Sequence, residues 1–437
     1  MAIETTDVTE GRFMHDLATR LFPICRSITG DGVRETLAIL GEHLPGLTVH
    51  EVPTGTPAFD WTVPDEWSIT EAYLEGPDGS RVVDFAQHNL HVVGYSTPVD
   101  IEISLADLQD HLHSDEELPD AIPYVTSYFN RTWGFCLPFN QRLTLSEGTY
   151  RAVIRGRLEP GSLTYGELVI PGERSDEVFV TTYVCHPSLA NNELSGPVVS
   201  TALARWVMSL PRRRYTYRFV FAPEGIGALT YASRNLEHLR THVVAAFNLT
   251  CIGDDGDYSY LASRIGDLEI DRIGRHVVSS REPAVEYTYI DRGSDERTYC
   301  APGIDLPMIS LMRTKYGSYR EYHTSLDDLT VITPTGLQGG LDLVRECIEV
   351  LEVNDYYETQ VLGEAQLGRR GLYHRIHART VEDIILLRTH VMAYSDGRHS
   401  VLDIAVLLDR PVDEIFAVIS ELVDHDLLVK LPSKKES

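Results

Sequence analysis

Apolar residues recur at helical spacing from about residue 11 to 22 (FMHDLATRLF), which predicts an opening helix. A polar turn, Arg26-Ser27-Ile28-Thr29-Gly30-Asp31-Gly32, then starts a second helix, VRETLAILGEHL. From residue 47 to about 172 the pattern changes to short alternating runs (TVHEVP, RVVDFA, LHVVGYS, RLTLSEGTYRAVIRG). Pro, Gly and Asp separate these runs, which predicts a β-rich module. From 173 to about 353 it becomes α/β: EVFVTTYVCHP and YRFVFAPE read as buried strands, VVSTALARWVMSL as a helix and VVAAFNLTCIG as a further strand. LQGGLDLVRECIEVLEV closes that core as a helix. The tail from about 376 holds three short amphipathic helices and ends in LLVKL and PSKKES, a winged-helix pattern. The expected domains are therefore an α/β catalytic domain over 1–46 and 173–370, an inserted β-rich domain over 47–172, and a winged helix over 376–437.

A length of 437 residues exceeds one ordinary core, in keeping with several domains. Apolar runs are broken by charge or Gly well short of a membrane span, so no membrane partner is expected. The acidic start MAIETTDVTEGRF lacks the basic and apolar regions of a secretory signal. Six scattered cysteines without a CxxC pair read as reduced thiols, and a cytoplasmic location is expected. The net charge of −27 repels phosphate backbones. The presumed recognition helix, 411–426, carries Asp413, Glu414, Glu421, Asp424 and Asp426 and no Lys or Arg, so nucleic acid is not an expected partner. The winged helix is read instead as a packing or homodimer-forming element.

Candidate chemistry collects at the carboxyl ends of the predicted strands, where open α/β sheets place their sites. His186 ends VFVTTYVC, Glu193 follows at the mouth of a helix, Glu224 ends YRFVFAP, and His323 lies in Glu321-Tyr322-His323-Thr324-Ser325-Leu326-Asp327-Asp328. Two imidazoles with one or two carboxylates suit an open catalytic zinc site, and a further carboxylate can take a proton from bound water. Any one of 17 histidines is more often a satisfied core or surface residue; it is the placement after strands that carries the reading. Asn191-Asn192 also reads as an Asx turn capping the next helix.

These residues resemble the zinc aminopeptidase fold. That fold has a His ending one strand, an Ala-Asn-Asp-Asn-Ala-Ser-Gly segment, a Glu-Glu pair, an Asn-Leu-Asp-Met-Ile-Gly strand and a late Tyr-His-Thr. Here the same order holds His186, Ala190-Asn191-Asn192-Glu193-Leu194-Ser195-Gly196, Pro223-Glu224, Asn248-Leu249-Thr250-Cys251-Ile252-Gly253 and Tyr322-His323-Thr324. The full chain resembles a bacterial aminopeptidase-like family with an inserted β-rich domain and a C-terminal winged helix. Its signatures look like Cys25 to Gly32, Asn89 to Ser96, Trp133-Gly134-Phe135-Cys136 and Gly293-Ser294-Asp295-Glu296-Arg297. The resemblance implies a zinc aminopeptidase-like mixed sheet flanked by helices.

The departures reduce the expected metal content. Asn192 stands where dizinc enzymes have the bridging Asp, Thr250 where they have a later Asp ligand, and Pro223 where they have the first Glu. One zinc ion is expected, on His186, Glu193 and His323, with Glu224 as general base and Asp254 or Asp255 as alternative ligands. Tyr322 is a candidate oxyanion donor. Arg297, Asp295, Asn192 and Arg26 are candidate substrate contacts, although an internal salt-bridge cluster or helix caps also fit them. His88 and His91 point to opposite faces if both lie on one strand. The function expected is metal-dependent hydrolysis of an amide in a small or short peptide-like substrate, possible within a biosynthetic pathway. The alternatives are a non-catalytic ligand-binding relative and, less in keeping with its charge, a winged-helix regulator.

Overall fold

Glu177–Tyr183 is a strand in which every residue is buried, and its sequence accordingly runs apolar without alternation. In the computed structural model, which describes residues 8–372 and 379–432, this strand lies at the centre of the large sheet. It pairs in parallel with Thr216–Ala222 and with Val243–Leu249, and Met308–Met312 extends the parallel set. Ser162–Ile170 and Thr48–Pro53 add antiparallel strands on one side. Tyr258–Leu261 and Ala284–Tyr287 complete an eight-stranded mixed sheet on the other. Helices flank this sheet, giving the α/β architecture that the sequence implied.

The chain divides into two units, Met1–Val344 and Arg345–Ser437. Within the first, the segment expected as an insertion gives its two end strands to the large sheet. Between them it forms a four-stranded antiparallel sheet in the order Arg81–Asp84, Glu66–Glu75, Thr149–Glu159, Val99–Ser104. Ala72, Leu74, Tyr150, Ala152 and Ile154 fill its core. His88 and His91 do not share a strand. Asn89–His91 is a short 3₁₀ turn capped by His88, whose Nδ1 accepts from the Leu90 amide at 3.1 Å. His91 Nδ1 lies 2.8 Å from the Cys136 carbonyl. The Asx-like capping option won here over strand pairing.

In the second unit, Tyr356–Thr359 lies between Asp396–Ser400 and Leu428–Lys430. The helices Arg379–Tyr394, Val401–Leu408 and Val412–Asp424 accompany this sheet. Ser400 and Asp403 close a reciprocal capping box that starts the middle helix. Arg388 grips Glu421 with two bonds, 2.8 and 2.6 Å. The expected boundary near 376 and the end from 433 onward lie outside the described residues.

Gly196, at the start of Ser195–Ser209, lets that helix close on the sheet. A methyl group there would meet Thr182 Oγ1 at 2.2 Å and the Leu249 carbonyl oxygen at 2.5 Å. Backbone cannot yield to it cheaply. Gly196→Ala is expected to cost about 2 kcal/mol of unfolding free energy through overpacking; urea melts that superimpose on wild type would contradict this.

Candidate active site

His186 lies just past the strand Glu177–Tyr183, and its orientation is set from behind. Glu193 Oε2 accepts from the His186 backbone N–H and from its Nδ1, both at 2.9 Å. Arg26, with no exposed surface, donates from Nε to the His186 carbonyl at 2.9 Å and lies 3.3 Å from Glu193 Oε1. A carboxylate on Nδ1 fixes the Nδ1–H tautomer and leaves Nε2 with its lone pair free. Burial lowers the affinity of His186 for a proton, but the hydrogen bond and charge of Glu193 outweigh it and the pKa is raised.

The free side of His186 faces the other candidates. Its Nε2 is 3.8 Å from Glu224 Oε2. His323 lies with its ring centroid 5.5 Å away, and its Nε2 is buried with no hydrogen-bond partner. Burial, reinforced by the charge on His186, pushes His323 down to about 3, so its ring is neutral at physiological pH. Tyr322 stacks on His323 at 3.9 Å and 13°.

Glu224 follows the strand Thr216–Ala222, and its backbone N–H points at Cys185 Sγ, 3.2 Å away. Asp295 Oδ1 accepts the next amide, Gly225 N–H, at 2.8 Å, while its Oδ2 is buried without a partner. Burial raises both carboxyl groups, and the charge of Glu224 pushes Asp295 further up.

The geometry places the remaining candidates as follows. Glu193, expected as a metal ligand, has its carboxylate on the Nδ1 side of His186 and beside the Arg26 guanidinium. Cys185, His186 and Glu193 bring ligand atoms within 4.8 Å of one another, as a metal cluster would, and the Cys185 thiol is held well above its ordinary pKa by burial. Arg26 was expected at the substrate and lies entirely behind the site. Asp254 is spent on a turn: its oxygens take bonds from Asn191 Nδ2, the amides of Gly256 and Thr314, and Thr314 Oγ1. Asp255 holds Thr333 Oγ1 at 2.9 Å. Asn192 donates from Nδ2 to the Tyr183 hydroxyl at 2.8 Å, and its Oδ1 is buried and unpartnered. Of the charged triplet, Glu296 is structural, accepting from Gly293, Ser294, Tyr316, Asn248 and Ser310. Arg297 is exposed at the wall of a cavity that also reaches Glu224.

Two residues escaped the sequence reading. Asp327 caps the turn Ala190–Leu194, accepting the Asn191 and Asn192 amides at 2.7 and 2.9 Å. Burial lifts it to about 6 against these bonds. Its position four residues after His323 was the available signal. Tyr124, from the inserted segment, places its ring 5.1 Å from both His186 and His323. Its amide also donates to the His323 carbonyl at 2.8 Å. Nothing in its sequence context marks it.

This arrangement of sheet and helices is that of the aminopeptidase-like fold. A Bacillus subtilis zinc aminopeptidase structure superposes with a TM-score of 0.56 at 14% identity, over 78% of this chain and 94% of that one. The chain belongs to the family described as a domain of unknown function (DUF4910), whose model matches residues 15–354, and residues 354–430 match a winged helix-turn-helix model. A Clostridium acetobutylicum protein named for polysaccharide biosynthesis and an aminopeptidase-like domain is 42% identical over 410 residues, 92% of each chain. A crystal structure of a Clostridium acetobutylicum protein named as a candidate peptidase has a TM-score of 0.90 at 40% identity, over 97% of both chains. Among the described residues, no helix is long and apolar enough to cross a membrane.

The support behind His186 gives a direct prediction. Glu193→Gln keeps the volume but leaves the Arg26 charge buried and unpaired, so stability is expected to fall by about 3 kcal/mol. Nitrogen NMR of the imidazole should show His186 as the Nδ1–H tautomer in wild type and a mixture in the variant. An unchanged tautomer and an unchanged denaturation midpoint would refute this role for Glu193.

Proposed function

We propose that the protein is a metal-dependent hydrolase of the aminopeptidase or amidohydrolase type, cleaving an amide bond of a small or short peptide-like substrate. One observation carries this reading: Glu193 turns His186 so that its free Nε2 faces Glu224 at 3.8 Å, beside the unpartnered His323 Nε2. Two ligand bonds of about 2 Å each span such a gap, and two imidazole nitrogens with a carboxylate oxygen match the donors zinc takes at open catalytic sites. His186, His323 and Glu224 would hold the ion. Asn192 and Thr250 argue for one ion and not two. Both are neutral, and both are tied to the Tyr183 hydroxyl, at 2.8 and 2.6 Å.

Bound zinc would polarise the amide carbonyl and lower the pKa of a water molecule. The protein's own residues would do the rest. If Glu224 holds the ion, the general-base role expected of it would pass to a neighbouring acid, and Asp295, whose Oδ2 is buried and unpartnered, is the candidate. Tyr322 is suited to donate to the oxyanion. Tyr124 and the segment around it narrow the approach to the imidazoles, which favours short substrates. The name of the Clostridium acetobutylicum relative agrees with a biosynthetic setting. The winged helix, with its acidic third helix Val412–Asp424, fits a self-association role better than DNA binding.

Metal analysis tests the assignment. Wild type is expected to hold about one zinc per chain, and His186→Ala, His323→Ala and Glu224→Ala should each abolish it. Glu193→Gln should weaken zinc binding by only about 10–100-fold, the usual effect of losing a group that orients a ligand. Metal-free wild-type protein with an intact fold would favour the non-catalytic, ligand-binding alternative.

A further inference from the structure

Beside Glu224 the molecule opens into a cavity of about 750 Å³, within the range of about 300–1,000 Å³ typical of small-molecule sites. Its floor is apolar, from Ile226, Leu229 and Leu236 of the helix Ile226–His242. Its rim is aromatic and comes from the inserted segment: Phe59, Trp61 and Phe129 are 46, 47 and 54% exposed. The Trp61 and Phe129 rings are 5.4 Å apart. Three large aromatic side chains left half in water around one cavity mouth are unfavourable unless something covers them. Tyr128 connects this wall to the imidazoles, since its hydroxyl lies 2.7 Å from that of Tyr124.

The charged groups on the cavity wall are few: Asp60 at the rim, Glu224, and Arg297. Arg297 Nε donates to the Ser294 carbonyl at 3.0 Å, and among the described residues no ion pair engages its guanidinium. A guanidinium without an ion pair on a largely apolar wall is a site for a carboxylate, which it grips through two parallel hydrogen bonds. A saccharide fits this lining poorly. Its many hydroxyls would face Ile, Leu, Phe and Pro side chains and lose hydrogen bonds to water without replacement.

We propose that this cavity receives the amine half of an N-acyl amino acid or of a short peptide's C-terminal residue: a large apolar, preferably aromatic, side chain on the rim and floor, with its α-carboxylate on Arg297. This rests on the hydrolase reading above and names its substrate class. In the reaction the water oxygen bonds to the acyl carbon and the C–N bond breaks. The amine leaves with both water protons, as an ammonium ion.

The test uses full-length, zinc-loaded protein, with binding measured by titration calorimetry and cleavage by amine release. N-acetylphenylalanine is expected to bind and to be cleaved with a kcat/KM at least about tenfold above N-acetylalanine, because a benzyl group gains a few kcal/mol on burial. Trp61→Ala and Phe129→Ala remove half-exposed rings and should keep the fold, checked by melting. Each should weaken N-acetylphenylalanine binding several-fold while leaving N-acetylalanine unchanged. Arg297→Gln should weaken N-acetylphenylalanine but not its carboxamide. Binding with this dependence but without cleavage would uphold the cavity assignment and overturn the hydrolase reading. Cleavage indifferent to the ring, to the carboxylate and to all three variants would overturn the cavity assignment and leave the hydrolase reading standing. N-acetylglucosamine binding more tightly than N-acetylphenylalanine would also overturn it.

Discussion

Glu193 is a carboxylate with no exposed surface, held between the Arg26 guanidinium on one side and both nitrogen donors of His186 on the other. Burying an acid is costly, and the cost is offset here only because every member of the group needs the others. Arg26 comes from the turn between the first two helices, Glu193 from the turn Ala190–Leu194, and His186 from the end of a central strand. The interaction therefore ties the N-terminal helices to the heart of the sheet and fixes which nitrogen His186 presents. Everything on the Nε2 side depends on that choice.

On that side Tyr183, Asn192 and Thr250 form a compact uncharged hydrogen-bonded network. The acids left near that side are Glu224 and Asp295, both raised by burial, with the charge of Glu224 pushing Asp295 further up.

The inserted segment is part of this site and not a decoration on it. One isolated β-bridge and two backbone hydrogen bonds fasten residues 122–124 to the loop around His323. The Tyr124 ring packs against both imidazoles, and the aromatic rim of the neighbouring cavity comes from the same segment. The candidate site and its approach are thus built from residues far apart in the chain, on a frame that distant aminopeptidases share only in outline.

The order of strands and helices, the mixed α/β class and the winged helix were legible in the sequence because hydrophobic period is local and tertiary packing did not override it. His186 and Glu224 were read as candidates because each falls just after a buried strand, Glu177–Tyr183 and Thr216–Ala222, whereas His323 lies in a loop beyond Met308–Met312 and is brought beside His186 by the fold. The partner of each side chain was not legible. Glu193 read as a ligand and Arg26 as a substrate contact, since sequence records residue type but not which nitrogen of His186 a carboxylate will meet. Asp254 read as an available acid until the fold brought Asn191 and Thr314 onto it. Asp327 had only its spacing from His323 and Tyr124 no local pattern, because their contacts span more than a hundred residues. The sequence by itself determined the frame and the residues at its mouth; only the tertiary structure, by pairing buried charges and aiming lone pairs, decided their roles.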